Sequence, residues 1–391
     1  MTAVSAAEVP EPFRGHDPDS KFSISYNDVD TVLKTMVVDV GRSSREVAAP
    51  SQAKTGTRMK AKVKRSTATE GNRFYFEEFK DNEQFKQALH NVRLSLESIP
   101  GRLPLEFFNR TEQLAYWLNL YNITMLDELV QIYPERDLKK ELNGKKSIKA
   151  QKILNIAGVP LSLDDIQYTI LPGNYPDKPV VIYGLFQGVI GGPNIRKRAY
   201  TAENVYRLLQ DNAEEFVNSN RGTYTRSGDF EVSSYYERNQ NWFPSFDRDL
   251  KNHLMTYIEG PERADLHAAD RLSPDIDDWT IVDVYGTQQQ IGASFSDSQA
   301  ALMDAVVTLQ PGPDGGASPQ ISASFSAASS SVLAKSPNLE EFSPDIMARL
   351  NTLKAKEEAT SLLREGRVTV EELGVAPDAQ QPADPDDDGQ P

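Results

Sequence analysis

Hydrophobic residues recur at helical spacing in several long segments of this chain and alternate at strand spacing in only a few short ones. From Tyr26 onward, Val29, Leu33, Met36, Val37 and Val40 fall on one helical face until Gly41. Residues 74–99 predict two helical stretches, in which Phe74, Phe76 and Phe79 lead into Phe85, Leu89, Val92, Leu96 and Ile99 before Pro100 and Gly101 close the run. The longest periodic segment comes next. Asn109-Arg110-Thr111-Glu112 offers a helix start, and Leu114, Trp117, Leu118, Tyr121, Met125, Leu129 and Ile132 carry an apolar stripe to Tyr133-Pro134. That is about six turns, which predicts a central buried helix.

Beyond it the pattern shortens. Residues 153–189 break into short pieces bounded by Gly, Pro and Asn, among which Val180-Val181-Ile182-Tyr183 predicts a strand buried on both faces. Thr201 is placed to cap a helix carrying Val205, Leu208, Leu209, Ala213 and Phe216. Residues 223–234 alternate like a hairpin around Ser227-Gly228-Asp229, a helix spans Phe246 to Ile258, and Asp277-Asp278-Trp279-Thr280-Ile281 forms the last packed element. The fold class expected is therefore α+β: a helix-rich domain around a small mixed or antiparallel sheet over residues 26–286.

The two ends read differently. Residues 1–25 carry three prolines and predict an extended leader. Residues 287–342, rich in Ser, Ala, Gln, Gly and Pro, predict a low-complexity linker. A helical segment over 343–375 starts at Ser343-Pro344-Asp345, and residues 376–391 are an acidic tail expected to be disordered. Between the first two helices, Lys54, Arg58, Lys60, Lys62, Lys64 and Arg65 flank the alternating Met59, Ala61 and Val63. That pattern fits an edge strand whose lysines discourage pairing with other edges, or an anion-binding patch.

Composition narrows the chemistry. The 391 residues are 39% hydrophobic, enough for a core, yet the formal charge is -15, which argues against a general nucleic-acid binder. Cysteine is absent, so disulfides, thiolate metal sites and cysteine nucleophiles are excluded. The four histidines share no metal-binding spacing, no cofactor motif is present, and no apolar run approaches the length of a membrane span. Ala3-Val4-Ser5-Ala6-Ala7-Glu8-Val9-Pro10 reads like the end of a secretory signal followed by a mature start, pointing to a periplasmic or secreted protein; a cytoplasmic chain could begin the same way.

From Phe107 to Ile281 the sequence resembles the DUF547 family, whose activity is unsettled. Ala115-Tyr116-Trp117-Leu118-Asn119-Leu120-Tyr121-Asn122 is similar to its aromatic "WxNxYN" helix, and Gly158 to Ile166 to its "G…LSLNDIE" segment. Leu185-Phe186-Gln187-Gly188 through Gly192-Pro193 resembles the stretch where most members read "ALxCGxxSCP", and Val232-Ser233-Ser234, Phe243 and Asp278-Trp279 resemble the closing elements. Where the family places two cysteines this chain has Gln187 and Gly192. The family's Glu-His pair becomes Gln167-Tyr168, and its following Arg becomes Pro172. A Cys–His pair in a cleft would allow a thiolate mechanism, which Gln and Tyr cannot supply.

The resemblance thus implies a degenerate site. Candidate ligand-binding residues are Asn119 and Asn122 on the aromatic helix, Gln167, Tyr168 and Gln187 at the substituted positions, and Gly191, Gly192, Asn194 and Arg196 in the glycine-rich loop that runs to Arg198. Asn119 and Asn122 would line a pocket or else satisfy buried backbone groups. The loop would meet a ligand or form a tight turn with a solvated basic shoulder. Asp164, Asp165 and Asp278 would act as acid and base or as helix caps.

The expected function is non-catalytic binding of a ligand or partner, with no cofactor and no nucleic acid. The rival is a hydrolase or transferase using carboxylates or Tyr168 in place of a thiol. A pure scaffold would bury Gln187 and Tyr168 fully and bond them to one another. Affinity through Gln187 and Tyr168 would vary little between pH 6 and 8, since neither group titrates there.

Residues 287–391 offer too little apolar surface to offset the entropy of ordering. Their removal is expected to leave cooperative thermal unfolding intact, with limited proteolysis cutting there first. A chain truncated after Gly286 that melts without cooperativity would show that this region packs on the domain.

Overall fold

The computed structural model describes residues 8–45, 67, 70–226 and 228–284. The basic stretch with its strand signal, the segments 287–342, 343–375 and 376–391, and Ser227 at the hairpin tip lie outside the described residues.

The first helix, α1 (Asn27–Met36), stops four residues short of the predicted Val40. Val37 and Val38 form β1 instead, pairing antiparallel with β2 (Arg73–Phe74) through Val37↔Phe74. Two adjacent β-branched residues suit that exchange of helical for ladder hydrogen bonds. The rest of the phenylalanine-rich stretch is a 3-10 turn, Phe76–Phe79, rather than a helix.

Helix α2 (Glu83–Arg102) begins at Asn82, whose side chain accepts from the Phe85 N–H, and it continues through Pro100 instead of ending there. Proline cannot donate to the carbonyl of Leu96 four residues back. The Tyr116 hydroxyl of the next helix donates to that carbonyl at 3.3 Å, so the bond lost within α2 is replaced from outside.

Helix α3 (Arg110–Ile132) starts where the sequence predicts, with the Asn109 side chain accepting from Glu112 N–H at 2.9 Å. Its burial goes beyond an apolar stripe. Every residue from Glu112 to Asp127 is buried, polar positions included. Asp127, held by Arg93 at 3.0 Å and His90 at 2.9 Å, ties α3 to α2.

The sheets are small, as an α+β chain of this pattern requires. β3 (Leu154–Ile156) and β4 (Val159–Leu161) form a hairpin whose two turn residues, Ala157 and Gly158, both have positive φ. The largest sheet is mixed. β5 (Thr223–Arg226) runs antiparallel to β6 (Asp229–Ser233), and β7 (Ser273–Ile276) joins β6 in parallel. Trp279 to Asp283 then threads through the core, bridging Asp137, Val189 and Phe74 by isolated pairs at Thr280, Ile281 and Asp283.

Three further expectations change. Val180 to Tyr183 lie in a buried 3-10 helix, Pro179–Gly184, instead of a strand. Side chains supply what a strand partner would. Tyr235 donates to Ile182 O, Asn212 to Tyr183 O and Asn122 to Gly184 O, at 2.8, 2.8 and 3.0 Å. A Cβ on Gly184 would lie 2.6 Å from Leu209 and 2.9 Å from Leu118, so glycine permits the close approach. The helix expected from Thr201 begins at Val205, and Asn204 turns its carboxamide back to the Thr201 N–H. The helix from Phe246 ends at Leu254.

The proline-containing start, read as an extended leader, packs on the domain from Val9 onward. Phe13 is buried edge-on against Trp117 with ring centroids 5.1 Å apart, and Gln113 donates to Gly15 O at 2.9 Å. No helix of the described residues is long and apolar enough to cross a membrane.

Trp117 is fully buried, as is Tyr121 one turn on. Trp117→Ala is expected to cost about 3–5 kcal/mol in chemical denaturation. A near-neutral change would mean that the Phe13 segment and α3 do not share a core.

Candidate functional site

A cavity of about 390 Å³ opens where the loop around Ser147 and Lys149, the helix following Ser162, the chain at Gln187 and the short helix Ser234–Arg238 converge with Trp279. The helix after Ser162 is built locally. Ser162 and Asp165 form a capping box, with the Ser162 hydroxyl accepting from Asp165 N–H at 3.1 Å and the Asp165 carboxylate accepting from Ser162 N–H at 2.6 Å. Asp165 is therefore a capping residue, leaving the adjacent Asp164 free to face Lys149. The chain then passes through a π turn, Ile166–Ile170, which carries Gln167 and Tyr168. Such turns are frequent at functional sites.

At the centre is the Lys149 ammonium group, buried with the residue only 4% exposed. It donates to Gln167 Oε1 at 2.8 Å and to Gln187 Oε1 at 3.1 Å, lies 3.7 Å from Asp164 Oδ1, and sits 5.5 Å from the centre of the Tyr168 ring. The orientation of both glutamine amides is fixed by their nitrogens. Gln167 Nε2 donates to Asn239 Oδ1 at 3.0 Å, and Asn239 is itself held by donating to Tyr235 O. Gln187 Nε2 donates to the Tyr121 hydroxyl at 3.1 Å and to Leu185 O at 3.0 Å, while Tyr121 donates onward to Gln167 Oε1. Each donor in this closed circuit meets an acceptor, so both amide oxygens must face the lysine.

Burial governs the charges. It lowers the Lys149 ammonium pKa to about 8, against the opposing attraction of Asp164 and with help from Arg238. Burial likewise raises the Asp164 carboxyl above its ordinary value despite Lys149. Both partners thus move towards their neutral forms, because attraction across 3.7 Å does not outweigh the loss of water. Burial, then Asp164, pushes the Tyr168 phenol up to about 12. On the cavity wall, the Arg238 guanidinium lies 4.7 Å from the centre of the Trp279 ring and donates to Ser234 Oγ at 2.7 Å.

The structure separates the nine sequence candidates. Tyr168 and Gln187 line the cavity and share Lys149; Gln167 reaches the same amine from below them in the network. Gln187 is buried, whereas Tyr168 is only partly so, and the Gln187 amide is bonded to Tyr121, Leu185 and Lys149. Asn119 instead brackets Tyr200, donating to its carbonyl at 2.7 Å and accepting from its N–H at 3.0 Å. Asn122 joins Gly184 O to Phe186 N–H in the same way.

No residue of the Gly191–Arg198 loop lines the cavity. A Cβ on Gly191 would stand 2.7 Å from the backbone of Asp278, and one on Gly192 2.8 Å from Gln187 Cβ, so these glycines serve packing. Asn194 accepts from Asn72 N–H at 2.7 Å, and Arg196 donates to Asn212 at 3.3 Å. Asp278 accepts from the Thr67 hydroxyl at 2.6 Å within the core.

Sequence reasoning missed Lys149 and Arg238. Lys149 stands among Lys145, Lys146 and Lys152 and carries no spacing signal that distinguishes it from solvated neighbours. Its presence also revises the expected pH behaviour, because a group titrating near 8 now belongs to the site. Among the described residues, no cluster of three or more His, Asp or Glu side chains is placed to hold a metal ion.

The family model described as a protein of unknown function, DUF547, matches residues 105–217, which include α3, Lys149, Tyr168 and Gln187. No curated protein matches the chain, and no solved structure does.

Asn122 bridges two backbone groups that have to be satisfied for Gln187 to be presented two residues beyond Leu185. Asn122→Ala is expected to destabilise the fold by about 2–4 kcal/mol, since a buried donor and acceptor both lose their partner. Equilibrium unfolding in urea measures it, and a loss below about 0.5 kcal/mol would contradict the bridging role.

Proposed function

We propose that the domain containing residues 105–217, which match the DUF547 family model, binds a small carboxylate-bearing ligand in the cavity beside Lys149. The observation that carries this reading is the charge of the wall. Lys145, Lys149 and Arg238 line it against Asp164, in a chain of formal charge -15. Cations gathered at a concave site of an acidic protein favour an anion there. The Arg238 guanidinium, stacked on the Trp279 indole with Nη1 held by Ser234 and 3.6 Å from Asp277 Oδ1, has little freedom left to lose and offers its remaining N–H groups to a planar carboxylate. A volume of about 390 Å³ falls within the range of small-molecule sites.

The rival reading, a hydrolase or transferase acting through Tyr168, has less support. A phenol pushed to about 12 is almost wholly protonated at neutral pH and makes a poor base. Asp164, facing an amine, is the stronger candidate for moving a proton.

Isothermal titration of the full chain with acetate, pyruvate and succinate tests the proposal. Saturable binding of at least one is expected at pH 7. The titratable and charged groups facing Lys149 are Asp164, Tyr168 and Arg238. Affinity for acetate and succinate, which have no carbonyl carbon to capture, should fall about tenfold between pH 7 and pH 9 as Lys149 loses its proton through about 8. Arg238→Gln should weaken binding at both pH values. No heat from any of the three, or affinities untouched by Arg238→Gln, would overturn the reading.

A further inference from the structure

We propose that Lys149 captures the carbonyl carbon of a 2-oxo acid as an imine, with Arg238 holding the acid's carboxylate. This deepens the binding proposal and rests on it.

The geometry around the amine is what separates Lys149 from an ordinary buried lysine. A neutral amine has two hydrogens and one lone pair. Two amide oxygens, at 2.8 and 3.1 Å, take the two hydrogens, and the hydrogen-bond circuit through Asn239, Tyr121 and Leu185 keeps both oxygens turned inward. Neither amide can remove or supply a proton near neutral pH. The lone pair is left for the remaining direction, on the side of Asp164 and the cavity that Lys149 lines. A lysine meant only to neutralise a buried carboxylate would sit closer to it than 3.7 Å and would donate to it first. Here the closest acceptors are neutral.

Asp164 supplies the proton chemistry. Its backbone N–H donates to Lys149 O at 3.0 Å, so carboxyl and amine are held on neighbouring strands of chain. The amine nitrogen attacks the carbonyl carbon, forming a C–N bond as the C=O π pair moves to oxygen. The oxygen takes the proton of the Asp164 carboxyl, and the nitrogen returns one to the carboxylate, giving a neutral carbinolamine. That hydroxyl then takes the Asp164 proton and leaves as water while the nitrogen lone pair forms the C=N bond. The products are one iminium and one water, with no oxidant or reductant consumed. A desolvated lysine favours the first step, since a larger fraction is unprotonated at neutral pH.

Gln187 Oε1 accepts from the Lys149 amine at 3.1 Å and the Tyr168 ring centre lies 5.5 Å from it, so two cavity-lining residues meet the proposed nucleophile directly.

Reductive trapping tests the inference. The full chain is incubated with pyruvate and sodium cyanoborohydride at pH 7.5, digested, and each lysine-containing peptide followed by mass spectrometry. The unprotonated fraction of an amine of pKa about 8 exceeds that of an ordinary lysine on the order of two-hundredfold at this pH. The Lys149 peptide should therefore gain one reduced pyruvate at least about tenfold faster than the others. Arg238→Gln should slow that labelling at low pyruvate while leaving the other peptides unchanged. Lys149→Arg should abolish it. The internal comparison within the unsubstituted protein keeps the test valid if a variant fails to fold. Uniform labelling of all lysines overturns the imine. Pyruvate that binds by titration without labelling Lys149 also overturns it and leaves carboxylate binding standing. Absence of both binding and labelling removes the two proposals together.

Discussion

A helix buried on every side imposes the condition that the rest of this fold meets. From Glu112 to Asp127 every residue of α3 is buried, so each polar side chain calls for a partner within the protein. The segments wrapped around α3 have little regular structure and bring unpaired carbonyls and N–H groups of their own. At several positions the two needs answer each other, although Trp117 Nε1 and Thr124 Oγ1 have no hydrogen-bond partner among the described residues. Gln113 donates to the backbone at Gly15, Leu105 and Phe108. Asn119 closes on Tyr200, Asn122 on Gly184 and Phe186, and Tyr116 on the carbonyl that Pro100 leaves open in α2. Side chains of one helix thus do the work that a larger sheet does in other α+β proteins, which is why sheets of two and three strands suffice here.

The candidate site grows from the same helix. Tyr121, on α3, both donates to Gln167 and accepts from Gln187, and those two amides hold Lys149. The amine is placed by a hydrogen-bond circuit in which orientation is dictated at every step, not by a close ion pair. Desolvation outweighs the attraction to Asp164, so both groups shift towards their neutral forms. An anion entering beside Arg238 would tilt that balance towards the ammonium, whereas a carbonyl would meet the amine. Burial is what gives a common surface residue this range.

The departures from the family pattern acquire a physical meaning in this setting. The sequence alone suggests that Gln187 and Tyr168 mark a degenerate site. Gln187 instead contributes an oriented oxygen to Lys149, and Tyr168 contributes a ring face to it and a wall to the cavity. Gly192 lies so close to Gln187 that an added Cβ would stand 2.8 Å from the Gln187 Cβ.

The sequence by itself determined the long elements and their partners in the core. The extent of α3 and its Asn109 cap were legible because they depend on neighbours three or four residues away, as was a capping role in Ser162-Leu163-Asp164-Asp165, which was expected of the aspartates and is led by Ser162. So was the hairpin of β5 and β6. The joint approach of Tyr168 and Gln187 to one cavity was foreseen through the family resemblance, not through spacing. Only the tertiary structure decided what short apolar runs became. Val180 to Tyr183 could be strand or helix, and the choice fell to Tyr235, Asn212 and Asn122 arriving from distant positions to take its carbonyls. It also decided which of several adjacent lysines is buried. Burial is a property of how segments pack, and the shift of the Lys149 amine comes from lost water, which no local pattern records.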